Sequence, residues 1–109
     1  MSYVPDRGDV VWMDFDPTLG HEQAKKRPAL VLSPKAYNQK TSLCLVCPMT
    51  SKIKGYPFEV HVEAQASVSV VLADQVKSLD WRSRKATFKH KVTPTILKEV
   101  LDKLGVLLN

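Results

Sequence analysis

The apolar residues of this chain change their repeat once, at Thr93, and that change restricts the fold more than any other feature. Before Thr93 they fall in short runs, alternating with polar residues or wholly apolar, broken by Pro, Gly and charged segments; this is how β-strands read. Beyond it, Ile96, Leu97, Val100, Leu101 and Leu104 fall at helical spacing, with Thr93 as cap and Pro94 at the first helical position. Gly105 reads as the stop. Many short strands followed by one helix fit a small barrel-like β fold and do not fit alternating β/α units. We therefore expect a mainly β (α+β) chain, a single domain over 1–109 with no internal repeat or interdomain linker.

The first run, Val10 to Phe15, follows Gly8-Asp9 and puts Val11, Met13 and Phe15 on one face, with Val10, Trp12 and Asp14 on the other. After Pro28, Ala29-Leu30-Val31-Leu32 is apolar throughout, as in a central strand covered on both faces. Ser33 as cap and Pro34 behind it can start one helical turn over Lys35-Ala36-Tyr37-Asn38. Leu43 to Cys47 is a further strand, and Phe58 to Glu63 alternates, with Phe58, Val60 and Val62 inward and Glu59, His61 and Glu63 outward. A fifth strand covers Val68 to about Val76. Ser78 to Arg84 reads as a turn or short helix, and Lys85 to Val92 as a basic edge strand whose lysines discourage aggregation.

Lys and Arg outnumber Asp and Glu by 16 to 11, a net charge of +5, which favours a polyanionic or acidic partner. No apolar run approaches the ~20 residues of a membrane span. The opening Met1-Ser2-Tyr3-Val4-Pro5-Asp6 lacks the basic and apolar regions of a secretory signal, so a cytoplasmic protein without a membrane partner is expected. Cys44 and Cys47 lie three apart in a strand and so face opposite ways. With no second pair and no histidine at ligand spacing, they read as two reduced core thiols and not as a metal site.

Chemistry concentrates in the polar segment Asp16 to Pro28, between two strands, with His21, Glu22, Lys25, Lys26 and Arg27. If the substrate is RNA, cleavage without metal needs a base for the 2′-OH, an acid for the leaving 5′-oxygen and donors to the phosphorane. Glu22 and Asp74 can accept a proton, and His21 can carry one near neutral pH. Arg27 offers a planar fork to phosphate oxygens, and Thr50 a hydroxyl. Spacing alone is not diagnostic: Thr50 capping a turn, Asp74 paired with a lysine and His21 merely exposed are equally consistent.

Gly8-Asp9-Val10-Val11-Trp12, Asp16-Pro17-Thr18, Gly20-His21-Glu22-Gln23, Arg27-Pro28-Ala29-Leu30-Val31-Leu32-Ser33 and Asn38 resemble the MazF/PemK family of toxin endoribonucleases. Cys47-Pro48-Met49-Thr50-Ser51, Gly55-Tyr56-Pro57-Phe58, Asp74-Gln75-Val76 and Arg84 extend the resemblance over nearly the whole chain, on the MazF side of the family. The resemblance implies an SH3-like small β-barrel with a C-terminal α-helix, PemK/CcdB-like, acting as a homodimer without cofactor. It implies cleavage of single-stranded mRNA to 2′,3′-cyclic phosphate and 5′-OH ends, held in check by a MazE-like acidic antitoxin. On this reading Arg27, Thr50 and Glu22 are catalytic. His21, Gln23, Asn38, Ser51, Lys54, Asp74, Gln75 and Lys77 bind substrate, and the basic loop Lys52 to Lys54, with Lys77 and Arg84, suits RNA and antitoxin alike. Tyr56 and Trp81 stack on bases or are half-buried barrel aromatics. One departure is plain: Leu72 stands where the PemK-like branch has an arginine two residues before its aspartate. Two other classes stay open, a CcdB-like gyrase inhibitor acting through Val106-Leu107-Leu108-Asn109 and a non-catalytic RNA-binding barrel.

Overall fold

Ala29, Leu30 and Val31 have no solvent exposure, and the run that holds them is the middle of the fold. In the computed structural model, which describes residues 2–15, 26–64 and 67–109, this run is β2 (Lys26–Val31), between β1 (Asp9–Asp14) and β3 (Leu43–Thr50). β4 (Glu59–Ala64) and β5 (Ser67–Leu72) form a hairpin, β6 (Lys77–Asp80) joins β3, and β7 (Thr87–Lys91) flanks β1. All these pairings are antiparallel, in the order β4-β5-β3-β2-β1-β7. Two helices complete the fold, α1 (Lys35–Thr41) and α2 (Pro94–Leu108). The result is an antiparallel half-barrel with a C-terminal helix.

Two apolar clusters lie on opposite faces of the central strands. Val10, Leu30, Cys47, Val60, Val71 and Val100 form one, with Ile96, Leu97 and Leu104 of α2 packed against it. Val11, Met13, Ala29, Val31, Cys44 and Trp81 form the other. The uniform apolarity of β2 follows, because it is covered on both sides. Cys44 and Cys47 fall in different clusters and are free thiols; burial pushes both up to about 12. Neither is a nucleophile near neutral pH.

Several boundaries differ from the sequence reading, each for a physical reason. α2 runs through Gly105 to Leu108, because one glycine costs a helix only about 1 kcal/mol; Asn109 closes it, its N–H and Nδ2 both donating to the Gly105 carbonyl. Thr93 does cap it, accepting the Ile96 N–H at 3.3 Å. α1 is longer than one turn and Ser33 does not cap it: the Ser33 hydroxyl donates to Asn38 Oδ1 and accepts the Leu45 N–H. Lys77–Asp80 is a strand because the edge of β3 offers it a ladder, a partner invisible in its own composition. The turn comes only at Trp81, where Asp80 Oδ1 accepts the N–H groups of Arg82 and Ser83. β5 stops at Leu72, short of Val76, at a turn closed by the Gln75 N–H on the Leu72 carbonyl.

Asp9 anchors the start of β1. Its buried carboxylate accepts from the Tyr3 hydroxyl at 2.5 Å and the Asp6 N–H at 3.0 Å, and pairs with Lys91 Nζ at 2.7 Å. Burial pushes its pKa up, but Lys91, Tyr3 and the Asp6 N–H outweigh burial and leave it below the ordinary carboxylate range. A depressed folded pKa gives stability that is full above the unfolded value and lost as pH falls through the folded one. Asp9→Asn is expected to cost about 1.5–3 kcal/mol at neutral pH and to flatten the acid limb of stability against pH, measured by urea unfolding from pH 7 down to 3.

Candidate active site

The β2–β3 ladder pairs Val31 with Val46, Leu30 with Cys47 and Ala29 with Pro48. Continued for two residues, that register brings Arg27 opposite Thr50 on the same face of the sheet. β3 changes partner at this point: Leu43–Val46 bonds to β6, while Met49 and Thr50 bond to Val71 and Val70 of β5. The strand ends diverge there and leave a cleft.

Three adjoining hollows make up the cleft, and all three are lined by both Arg27 and Thr50. The first adds Trp12, Lys26, Ser51, Ser67, Ser69 and Lys89. Lys52, Lys54, Tyr56, Glu59 and Gln75 line the second. In the third, Phe15, Leu72, Gln75 and Lys77 stand beside the shared pair. Among the described residues, six cations (Lys26, Arg27, Lys52, Lys54, Lys77 and Lys89) thus surround one carboxylate, Glu59. Such a cleft attracts polyanions and focuses their approach.

The Thr50 hydroxyl oxygen accepts the Lys52 N–H at 3.1 Å, which leaves its own hydrogen to donate. Lys77 lies 5.8 Å over the Phe15 ring and Lys89 5.4 Å over that of Trp12, so both ammonium groups are held against apolar walls while facing the cleft. The Tyr56 hydroxyl donates to Asp74 Oδ1 at 3.1 Å, tying the loop after β3 to the turn after β5. Desolvation and this bond raise its pKa, so it remains a donor.

Arg27, Thr50, Ser51, Lys54, Gln75 and Lys77 therefore meet at one place, with Asp74 joined to it through Tyr56. His21, Glu22 and Gln23 lie outside the described residues; the described residues on either side, Phe15 and Lys26, both line the cleft. Asn38 does not reach it. The side chain is fully buried; its Nδ2 donates to the Pro5 and Ser33 carbonyls at 2.8 and 3.0 Å, and its Oδ1 accepts from Ser33 Oγ. The family resemblance put this amide at the substrate; in α1 it is instead scaffold. Trp81 is likewise core, 5 % exposed, with Nε1 donating to the Asn38 carbonyl. Arg84 is committed to the Asp14 and Phe15 carbonyls at 2.9 and 2.7 Å, fixing the end of β1 beside the cleft.

Sequence reasoning missed Glu59, Trp12 and Lys89. Alternation placed Glu59 in solvent, but it is 7 % exposed, with Oε2 accepting the Lys54 N–H at 2.9 Å and Oε1 the Gly55 N–H at 2.8 Å. The Lys54 N–H is the main reason its carboxyl sits below the ordinary range, against the opposing effect of burial. Trp12 had a signal, a large aromatic within a strand; it is 37 % exposed while Val10, Val11 and Met13 around it are core.

Residues 6–108 match the family described as PemK-like, MazF-like toxin of type II toxin-antitoxin system. Over 106 residues the chain is 56% identical to an endoribonuclease toxin MazF of Escherichia coli K12, covering 97% of this chain and 96% of that protein. A crystal structure of MazF from Deinococcus radiodurans superimposes with a TM-score of 0.88 at 55% identity, over 98% of both chains. A MazE–MazF crystal structure from the same organism gives 0.88 at 50% identity, over 99% of this chain and 98% of that one.

Removing the buried Asn38 side chain tests its assignment to the scaffold. Asn38→Ala removes the donor to the Pro5 and Ser33 carbonyls and the acceptor of the Ser33 hydroxyl. It should cost about 1–3 kcal/mol, seen as a lower urea midpoint at unchanged slope.

Proposed function

Because the chain belongs to the PemK-like, MazF-like toxins of type II toxin–antitoxin systems and is an endoribonuclease toxin of the MazF type, we propose that it cuts single-stranded mRNA at the Arg27–Thr50 cleft without a metal ion. The observation that carries this reading is the sharing of all three basic hollows by that one pair. A strand of RNA crossing the cleft meets cations on both sides of the guanidinium and hydroxyl, so successive phosphates have partners while one is held at the centre.

The chemistry uses the RNA's own nucleophile. The 2′-oxygen attacks the adjacent phosphorus as Glu22 removes its proton, and the bond to the 5′-oxygen breaks, giving a 2′,3′-cyclic phosphate and a 5′-OH. Arg27 and Thr50 donate to the non-bridging oxygens, where charge builds. A guanidinium holds its protons too tightly to be a good proton donor, so the proton for the leaving oxygen comes from His21 or water. Gln23, Ser51, Lys54, Gln75 and Lys77 bind the flanking nucleotides, and Asp74 braces Tyr56 against them.

An acidic, extended MazE-like antitoxin would use the same electrostatics, and the complex of a relative with MazE supports such a partner. A homodimer is supported by the end of α2, where Leu101, Val106, Leu107 and Leu108 are exposed apolar residues that a second copy would cover. A gyrase inhibitor acting through that end would need neither Arg27 nor Thr50.

Incubating the protein with a long RNA in EDTA and sequencing the new 5′ ends tests the proposal. Cleavage at one short word with 5′-OH ends is expected. Arg27→Ala should lower kcat by about 10²–10³ and Thr50→Ala by a similar or smaller factor. A folded Arg27→Ala protein cutting at the wild-type rate, or cleavage that EDTA abolishes, would overturn it. RNA affinity falling with salt but no products would mark a binding barrel instead.

A further inference from the structure

The second hollow contains a feature that the cleavage chemistry does not use. Glu59 is an acid at the edge of a basic cleft, where an unpartnered carboxylate would repel phosphate. Both its oxygens are instead occupied by backbone donors, the N–H groups of Lys54 and Gly55. These belong to the loop between β3 and β4, which lies on the cleft and carries Lys52 and Lys54.

Further ties converge on that loop. The Lys52 N–H bonds to Thr50 Oγ1 at 3.1 Å, and the Glu59 N–H donates back to the Tyr56 carbonyl at 3.1 Å. From α2, Lys103 Nζ reaches the Pro57 carbonyl at 2.7 Å. Gly55 has φ +84, a left-handed conformation open to glycine, with no atom within 4 Å of an added Cβ. The glycine serves the turn that presents two consecutive N–H groups to one carboxylate.

We infer that Glu59 is a positioning residue for RNA: it folds the Lys52–Tyr56 loop against the cleft, and so sets where Lys54 and the Thr50-bonded Lys52 meet the substrate, with Lys103 holding the loop from the C-terminal helix. The inference rests on the ribonuclease reading of the cleft. Its physical content is preorganisation, in which the order of a basic loop is fixed before RNA arrives and the cost of fixing it is not taken from binding.

The sign of the effect separates this role from plain electrostatics. Removing a negative charge beside a polyanion site should tighten binding if charge alone mattered. Positioning predicts the reverse. The experiment compares wild type, Glu59→Gln and Lys103→Met on an RNA oligonucleotide containing the cleavage word, with binding measured on the same oligonucleotide carrying 2′-deoxy at the cut site. Amide exchange of Lys54 and Gly55 is followed in parallel. Glu59→Gln is nearly isosteric and keeps one acceptor, so the fold is retained.

We expect KM and Kd to rise about tenfold in Glu59→Gln, the equivalent of one charge-assisted hydrogen bond. A smaller rise is expected in Lys103→Met, with kcat within about twofold of wild type in both, as for uniform binding. Faster exchange of the two amides should accompany the rise. Unchanged or lower KM and Kd would overturn the inference, as would a fall in kcat at constant KM. If wild type itself cuts no RNA, the reading of the cleft fails first; if wild type cuts and Glu59→Gln matches it, only the inference falls.

Discussion

Leu30 lies across from Cys47 and Ala29 across from Pro48 in the β2–β3 ladder, and a slip of one residue would turn every side chain of either strand to the opposite face. Both strands are buried on both faces, so such a slip would move Val31 and Val46 out of one core and Leu30 and Cys47 out of the other. Two cores therefore fix one register. The same register, carried past the end of the buried stretch, sets Arg27 against Thr50. Packing that has nothing to do with chemistry thus determines which side chains share the cleft.

β3 extends this constraint sideways. Its first half bonds to β6, and its last two residues bond to β5. Pro48 lies at the changeover; lacking an N–H, it suits a place where a ladder is interrupted. Because the sheet divides there, the β4–β5 hairpin and the β1–β2 hairpin splay apart, and their neighbouring segments supply lysines to the same cavity from opposite sides. The six cations come from four separate stretches of the sequence, around Lys26, Lys52, Lys77 and Lys89. Their convergence is a property of the topology, and net charge alone could not reveal it.

The elements with a strong repeat were legible: the central strands, the alternation of β4 and the helix behind Thr93 and Pro94. Lys77–Asp80 was not, because a four-residue strand recruited by an existing edge has no pattern of its own. Gly105 misled because a single glycine costs a helix too little to end it, and the cap is supplied four residues later by Asn109. At the site, Arg27 and Thr50 could be named from a family pattern, and the register gives that naming a physical basis. Asn38 and Glu59 are the instructive pair. Each expectation is reversed by burial: an amide that the family resemblance put at the substrate is locked in the scaffold, and a carboxylate that alternation put in solvent holds the cleft's loop. Sequence alone does not tell an outward polar residue from one whose partners are backbone groups.

The charge around the cleft also bears on how little proton chemistry the site must do. In the proposed reaction the phosphorane carries one more negative charge near its non-bridging oxygens than the bound diester, as the 2′-oxygen loses its proton. Cations fixed close to that position stabilise this charge without having to reorganise, and a 2′-OH beside them ionises more readily than in water. Each unit by which such surroundings lower the hydroxyl's pKa removes about 1.4 kcal/mol from the work asked of the base. Arg27 is suited to this because a guanidinium is a planar, permanent cation, the property that makes such a group a poor acid. On the proposed reading a base as weak as Glu22 then suffices, and the roles divide by chemistry: a permanent cation for the charge, a titratable group for the proton. Order in the lysine-bearing loop serves binding and not this step, since a cation already in place meets the RNA without first having to be ordered.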